Sequence, residues 1–181
     1  MKALIVLLTT IMTTFNNSTY KIDFGTTQDG KDWMVVNDNV MGGRSNSTAE
    51  LSTNSLIFKG FISLKNNGRF ASLRSSLGSF DLSVFKKVKI RFRSAGRDFA
   101  LRLGTSDLYY RPNYRHFFSS TTKDWEIAEL NLSDFKEFTL GQITSTKISK
   151  DIFEKIIRIG IILNDKKEGP FEIEIDYIEF Y

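Results

Sequence analysis

Short apolar runs that alternate with charge constrain this chain more than any other feature of its sequence. Val88, Ile90 and Phe92 alternate with Lys87, Lys89, Arg91 and Arg93, the period of two that buries one face of a strand and leaves the other in water. Near the C-terminus Phe171, Ile173, Ile175 and Tyr177 alternate in the same way with Glu172, Glu174 and Asp176. The apolar parity then slips to Ile178 and Phe180, which predicts a β-bulge near Tyr177. The two outer rows have opposite sign. The strands are therefore expected to be neighbours, with cross-strand charge pairs fixing register more than stability.

Other segments follow the same rule. Residues 20–24 read as a first strand, and residues 47–51 and 56–64 as a pair turning at 52–55. Gly60 interrupts the second of these and predicts a bulge or a close backbone approach. Asn66-Asn67-Gly68 reads as a hairpin turn before a return strand at 70–73. Phe99, Leu101 and Leu103 form an inward row with Ala100 and Arg102 outward, and residues 125–132 and 157–163 are further strands. Residues 79–85 suggest a helical turn capped by Asp81 or Ser83. Only residues 149–157 read as a helix, capped by Ser149 and with Ile152, Phe153 and Ile156 on one face. No fixed repeat and no linker interrupts this series. The expected class is all-β, an antiparallel β-sandwich with one short helix.

With 181 residues, 41% of them hydrophobic and 25% charged, the chain can bury one ordinary core. Sixteen Phe against two Pro favour strands. The expected division is a leader over residues 1–19 and a single domain over 20–181. Met1-Lys2, the apolar stretch 3–12 and the polar residues 16–19 outline a secretory signal peptide, although no A-x-A-like cleavage site is present. Export is the expectation and a cytoplasmic home its alternative. No other stretch is apolar enough to cross a membrane as a helix.

Composition also narrows the chemistry. The absence of Cys removes disulfides, thiolate nucleophiles and Cys-based metal sites. His116 is the sole histidine and no G-x-S-x-G elbow accompanies it, so no nucleophile–base pair can be assembled from recognisable parts. No D-x-D-x-D-G loop is present for calcium. Gly42-Gly43 lacks the Lys and Ser/Thr of a phosphate loop. A net charge of +4 spread along the chain does not call for nucleic acid. The chain is expected to be a non-enzyme without cofactor or metal.

The most distinctive stretch is 33–45. Trp33 heads an apolar run, Asn37, Asp38 and Asn39 break it, and Val40-Met41-Gly42-Gly43-Arg44-Ser45 follows. Adjacent glycines imply positive φ or backbone pressed against a neighbour. The stretch is expected to form a tight corner plugged into the core by Trp33 and Met41. Together with Phe58, Gly60, Ser63, Asn66-Asn67-Gly68 and Phe70-Ala71-Ser72, it resembles the signature of the complex I intermediate-associated protein family. Trp125, Phe135, Ile159-Gly160 and the segment from Gly169 to Ile178 extend the resemblance to the C-terminus. Arg69 stands where the family has a second Gly, and Ser94-Ala95-Gly96 where it has a Gly-Asp-Gly-like turn. The resemblance implies a galactose-binding-like jelly roll, and a chaperone-like assembly factor that binds partly assembled protein subunits. It also places Asp176 near the position where similar jelly rolls hold a structural calcium.

A second candidate site lies in 108–118, where Tyr and Arg provide flat faces and directional donors. Arg102, Tyr110, Arg111, Tyr114 and His116 are its expected members. They would suit a protein partner or, as the alternative function, a glycan laid across the sheet by an exported lectin-like module.

Overall fold

The computed structural model describes residues 19–181. The strands are β1 (Tyr20–Asp23), β2 (Met34–Asn37), β3 (Asn46–Leu51), β4 (Leu56–Ile62), β5 (Ala71–Arg74), β6 (Lys87–Ser94) and β7 (Asp98–Gly104). They continue with β8 (Asn113–Ser119), β9 (Glu126–Asn131), β10 (Lys136–Thr139), β11 (Gln142–Ser145), β12 (Arg158–Leu163) and β13 (Gly169–Phe180). A six-stranded sheet runs β3-β4-β13-β6-β9 with β1 also on β13, and a seven-stranded sheet runs β11-β10-β8-β7-β12-β5-β2. Every pairing is antiparallel. The expected leader lies outside the described residues apart from Thr19.

The alternating rows meet between the sheets. Phe58, Val88, Ile90, Phe92, Ile173, Ile175, Ile178 and Phe180 from one sheet face Leu73, Phe99, Leu101, Leu103, Ile159, Ile161 and Leu163 from the other, all buried. β6 and β13 are neighbours as expected. Arg93 pairs with Glu174 and Arg91 with Asp176, while Lys89 reaches Glu179 at 3.0 Å. The register shifts between Ile175 and Tyr177. The shift falls where β13 changes partner on its other edge, from β4 through Ile175 to β1 from Tyr177. Asp176 is the extra residue, and its carbonyl accepts the Phe24 N–H at 2.9 Å. The parity slip in the sequence thus marks the handover between two short edge segments.

Several expectations need correction. The 66–68 turn is not a hairpin, because β4 and β5 belong to different sheets. It is a 3-10 turn, Lys65–Asn67, that carries the chain across the sandwich, and Asn66 rather than the Asn-Gly pair takes positive φ, at 56°. The helix is a 3-10 segment, Lys150–Lys155, and the Ser149 hydroxyl bonds the Asp151 carboxylate instead of capping a backbone N–H. Six residues offer too few i→i+4 bonds to repay nucleation of an α-helix. Residues 79–85 form no helix; Asp81 accepts from the Ser83 N–H at 3.0 Å in an Asx turn. Gly60 marks a close approach without a bulge, since a Cβ there would lie 2.1 Å from the Asn46 carbonyl oxygen. No Asn-Gly or Asp-Gly pair marks the β10–β11 hairpin; its turn residues Leu140 and Gly141 both have positive φ, 49° and 82°.

Candidate functional site

At the 33–45 corner Trp33 packs against the core as expected, but a polar residue stands where Met41 was expected. Trp33 is half-buried, edge-on to Phe24 with ring centres 5.0 Å apart. Met41 is 68% exposed and Val40 70%, so neither plugs the core. Asp38, 1% exposed, takes that place. Its Oδ1 accepts the Ser45 N–H at 2.9 Å, and its Oδ2 accepts the Ser45 hydroxyl and the backbone N–H groups of Arg69 at 2.7 Å and Phe70 at 3.3 Å. The Ser45 oxygen in turn accepts the Ser63 N–H at 3.0 Å.

One carboxylate therefore ties the corner to residues 69 and 70, which lead from the 65–67 turn into β5. A buried carboxylate is tolerable only with such a set of donors. The glycines follow from it. A Cβ on Gly43 would fall 2.3 Å from Asp38 Oδ1, and one on Gly68 would fall 2.6 Å from Oδ2. Gly42 has φ +84°, which closes the 3-10 turn Asp38–Met41. The four-residue turn lifts Val40 and Met41 into solvent because its buried contribution is the Asp38 carboxylate.

The second candidate set is divided by the structure. Tyr114 and His116 share the core-facing side of β8 with Phe118, opposite Leu103 and Leu101. Tyr114 is 4% exposed, and burial followed by the neighbouring Glu137 carboxylate pushes its phenol up to about 12. His116 packs edge-on against Phe135 at 5.5 Å, and its Nδ1 lies 2.9 Å from the Phe117 carbonyl. Tyr110 and Arg111 sit in the exposed loop before β8, with the Arg111 guanidinium 5.8 Å from the Tyr110 ring centre. Only Arg102 lies on the outer face of the sheet. Alternation separated these residues: Arg102 and Arg115 are directly opposite, so Tyr114 and His116 on either side of Arg115 must point inward.

Arg102 has other company there. Registers across β5, β12, β7, β8 and β10 align Arg74, Gly160, Arg102, Arg115 and Lys136 in one row perpendicular to the strands. Arg158 stands opposite Gly104, two positions along from Arg102 on the same face. Gly160 answers to the backbone of β5 and not to the arginines, since a Cβ there would lie 2.5 Å from the Leu73 carbonyl oxygen. Arg115 Nε donates to Asn113 at 2.6 Å, Asn113 donates to the Phe138 carbonyl at 3.1 Å, and the Arg115 guanidinium rests 4.7 Å above the Phe138 ring. Arg74 Nε donates to the Ser72 hydroxyl at 3.0 Å.

Among the described residues no carboxylate pairs with Arg74, Arg102, Arg115 or Arg158. Arg158 Nε is buried without a hydrogen-bond partner. Burial first, then repulsion from Arg74, Arg115 and Arg158, brings Arg102 down to about 9; burial and Arg74 bring Arg115 to about 10. Both remain cations at neutral pH. The sequence offered only parity as a signal for this group, and parity is silent about which strands pair.

Among the described residues no group of three or more His, Cys, Asp or Glu could hold a metal ion, and Asp176 is engaged by Arg91. No helix of the described residues is long and apolar enough to cross a membrane.

The family model of Complex I intermediate-associated protein 30 (CIA30) matches residues 22–175. The mouse mitochondrial Complex I intermediate-associated protein 30 is 27% identical over 83% of this chain and 52% of its own length, so the chain spans about half of that curated relative. Among solved structures, the family 11 carbohydrate-binding module of the Clostridium thermocellum cellulase Lic26A-Cel5E superposes with a TM-score of 0.65 at 13% identity, covering 90% of this chain and 95% of the module. The family 11 module from the same organism in complex with a β-1,3-1,4-mixed-linked tetrasaccharide gives a TM-score of 0.59 at 15% identity, over 83% of this chain and 88% of that one. The fold is the galactose-binding-like jelly roll of these modules.

Proposed function

The chain belongs to the complex I intermediate-associated protein 30 family, and we propose that it is a non-catalytic binding protein that holds partly assembled protein subunits. The observation that carries this reading is the corner. A buried carboxylate with four donors is spent on presenting Val40 and Met41 to solvent, at the stretch where the family resemblance begins. An exposed apolar pair on a rigid turn suits a protein partner, since a rigid anchor loses little conformational entropy on binding.

By analogy with the mouse relative, the expected client is one or more subunits of complex I. The full chain, tagged and crosslinked in native membranes, is expected to recover complex I subunits. Val40→Asp combined with Met41→Asp is expected to lose them while melting like the parent. Equal recovery by the double variant overturns the reading.

The alternative, a lectin-like module, draws on the fold of the carbohydrate-binding neighbours. Tyr110, Tyr114 and His116 do not form one face with Arg102, so a glycan would have to lie on the outer face of the seven-stranded sheet. The expectation of export rests on residues 1–19 and gains nothing from the comparisons; a cytoplasmic home is the alternative. N-terminal sequencing of the mature protein decides between cleavage and retention.

A further inference from the structure

We propose that the outer face of the seven-stranded sheet is an oxyanion-binding site, in which Arg102 and Arg115 clamp a carboxylate or phosphate group and Arg74 and Arg158 flank it. The site is distinct from the Val40–Met41 corner, and its test does not depend on the client reading.

The first observation is convergence. Arg102 and Arg115 are direct cross-strand partners, about 5 Å apart at the backbone, and Arg74 joins their row across a glycine. The second is the lack of compensation. Arg102 is 9% exposed and makes no hydrogen bond to any described residue. Buried cations ordinarily come with a carboxylate, because desolvation costs several kcal/mol per ion. Here two buried cations, Arg102 and Arg115, share one face with the half-buried Arg74 and Arg158, and the described residues supply no counter-charge.

The third observation is preorganisation. Arg115 and Arg74 are each held through Nε, by Asn113 and Ser72, which leaves their Nη edges free. Guanidinium groups fixed in this way present paired N–H donors matched to two oxygens of one oxyanion. Phe138 beneath Arg115, and Phe117 at 46% exposure beside it, give the site an apolar wall that a compact ligand could cover. An oxyanion would satisfy the free donors and cancel the mutual repulsion together.

The ligand chemistry is thus a carboxylate or phosphate on a small molecule, and the two sources separate by experiment. Calorimetry and thermal denaturation of the full chain would use inorganic phosphate and trigalacturonate, with cellotetraose as the neutral sugar and sodium chloride to match ionic strength. At least one of the two anions is expected to bind saturably and raise Tm, as any ligand specific for the folded state must. Binding should weaken at least tenfold in Arg102→Met and in Arg115→Gln, the second variant serving if the first fails to fold, and stay unchanged in Arg93→Met on the opposite sheet. Tighter binding of phosphate assigns a phosphorylated ligand, and tighter binding of trigalacturonate an acidic glycan. Absence of binding by both anions at millimolar concentration, retention of binding in both arginine variants, or equal binding of cellotetraose overturns the proposal.

Discussion

Arg97 and Arg102 lie five residues apart, both buried, and they are treated in opposite ways. Arg97 sits just past the Gly96 turn that leads into β7. Its guanidinium grips Asp165 at 2.6 and 2.9 Å and donates to the carbonyls of Lys167 at 2.7 Å and Pro170 at 2.8 Å. Arg102, farther along β7, faces other arginines. The two outer sheet faces repeat the contrast: β6 meets β13 with Arg91, Arg93 and Lys89 each matched by a carboxylate, and β7 meets β8 with Arg102 against Arg115. Charge that serves the fold is compensated within the fold. Charge left uncompensated at a comparable depth calls for something outside it.

That comparison can be broken at several points. The largest effect is expected at Arg97. Arg97→Met leaves Asp165 buried and unpaired, and should cost about 3–5 kcal/mol in denaturant unfolding; a variant as stable as the parent would make Arg97 no different in kind from Arg102. Next, Arg102→Met removes a buried, unpartnered cation and should raise stability by about 1–3 kcal/mol. A loss of similar size would show that the group is compensated within the chain after all.

The pH dependence sharpens the same pair. Burial works to raise the Asp165 carboxyl, but the Arg97 guanidinium and the Lys167 N–H outweigh it and hold it below the ordinary 3.8. The unfolded chain then binds more protons than the folded one between that depressed value and 3.8. The contribution of Asp165 is complete above 3.8 and lost as pH falls through the folded value. Urea midpoints measured against pH should fall less steeply below 3.8 in Arg97→Met than in the parent, because without the guanidinium the folded Asp165 carboxyl is no longer held as far below its unfolded value. Superimposable profiles would refute the coupling. The smallest effect belongs to the exposed row: a double-mutant cycle on Arg93 and Glu174 should give about 0.2–1 kcal/mol, screened by salt, and a much larger coupling would place that row with Arg97 instead.

Alternation in single segments carried much of the fold. The core rows of β6, β7 and β13, the neighbouring of β6 and β13, and the bulge near Tyr177 all follow from which side of a strand meets water, a local property that needs no partner to be read. The resemblance at 33–45 and beyond carried the family in the same way, since motifs in order survive without coordinates. Pairing decided the rest. Whether Asn66-Asn67-Gly68 joins two strands or crosses between two sheets depends on where β4 and β5 lie, and a turn sequence is nearly the same in both cases. That Asp38, and not Met41, joins Trp33 in holding the corner depends on backbone N–H groups at 69 and 70 brought from more than thirty positions away. The arginine face is the clearest instance. Arg74, Arg102, Arg115 and Arg158 sit on four strands that meet only because β12 inserts between β5 and β7. Each reads in sequence as one more charged residue, and long-range hydrogen bonding alone makes them neighbours.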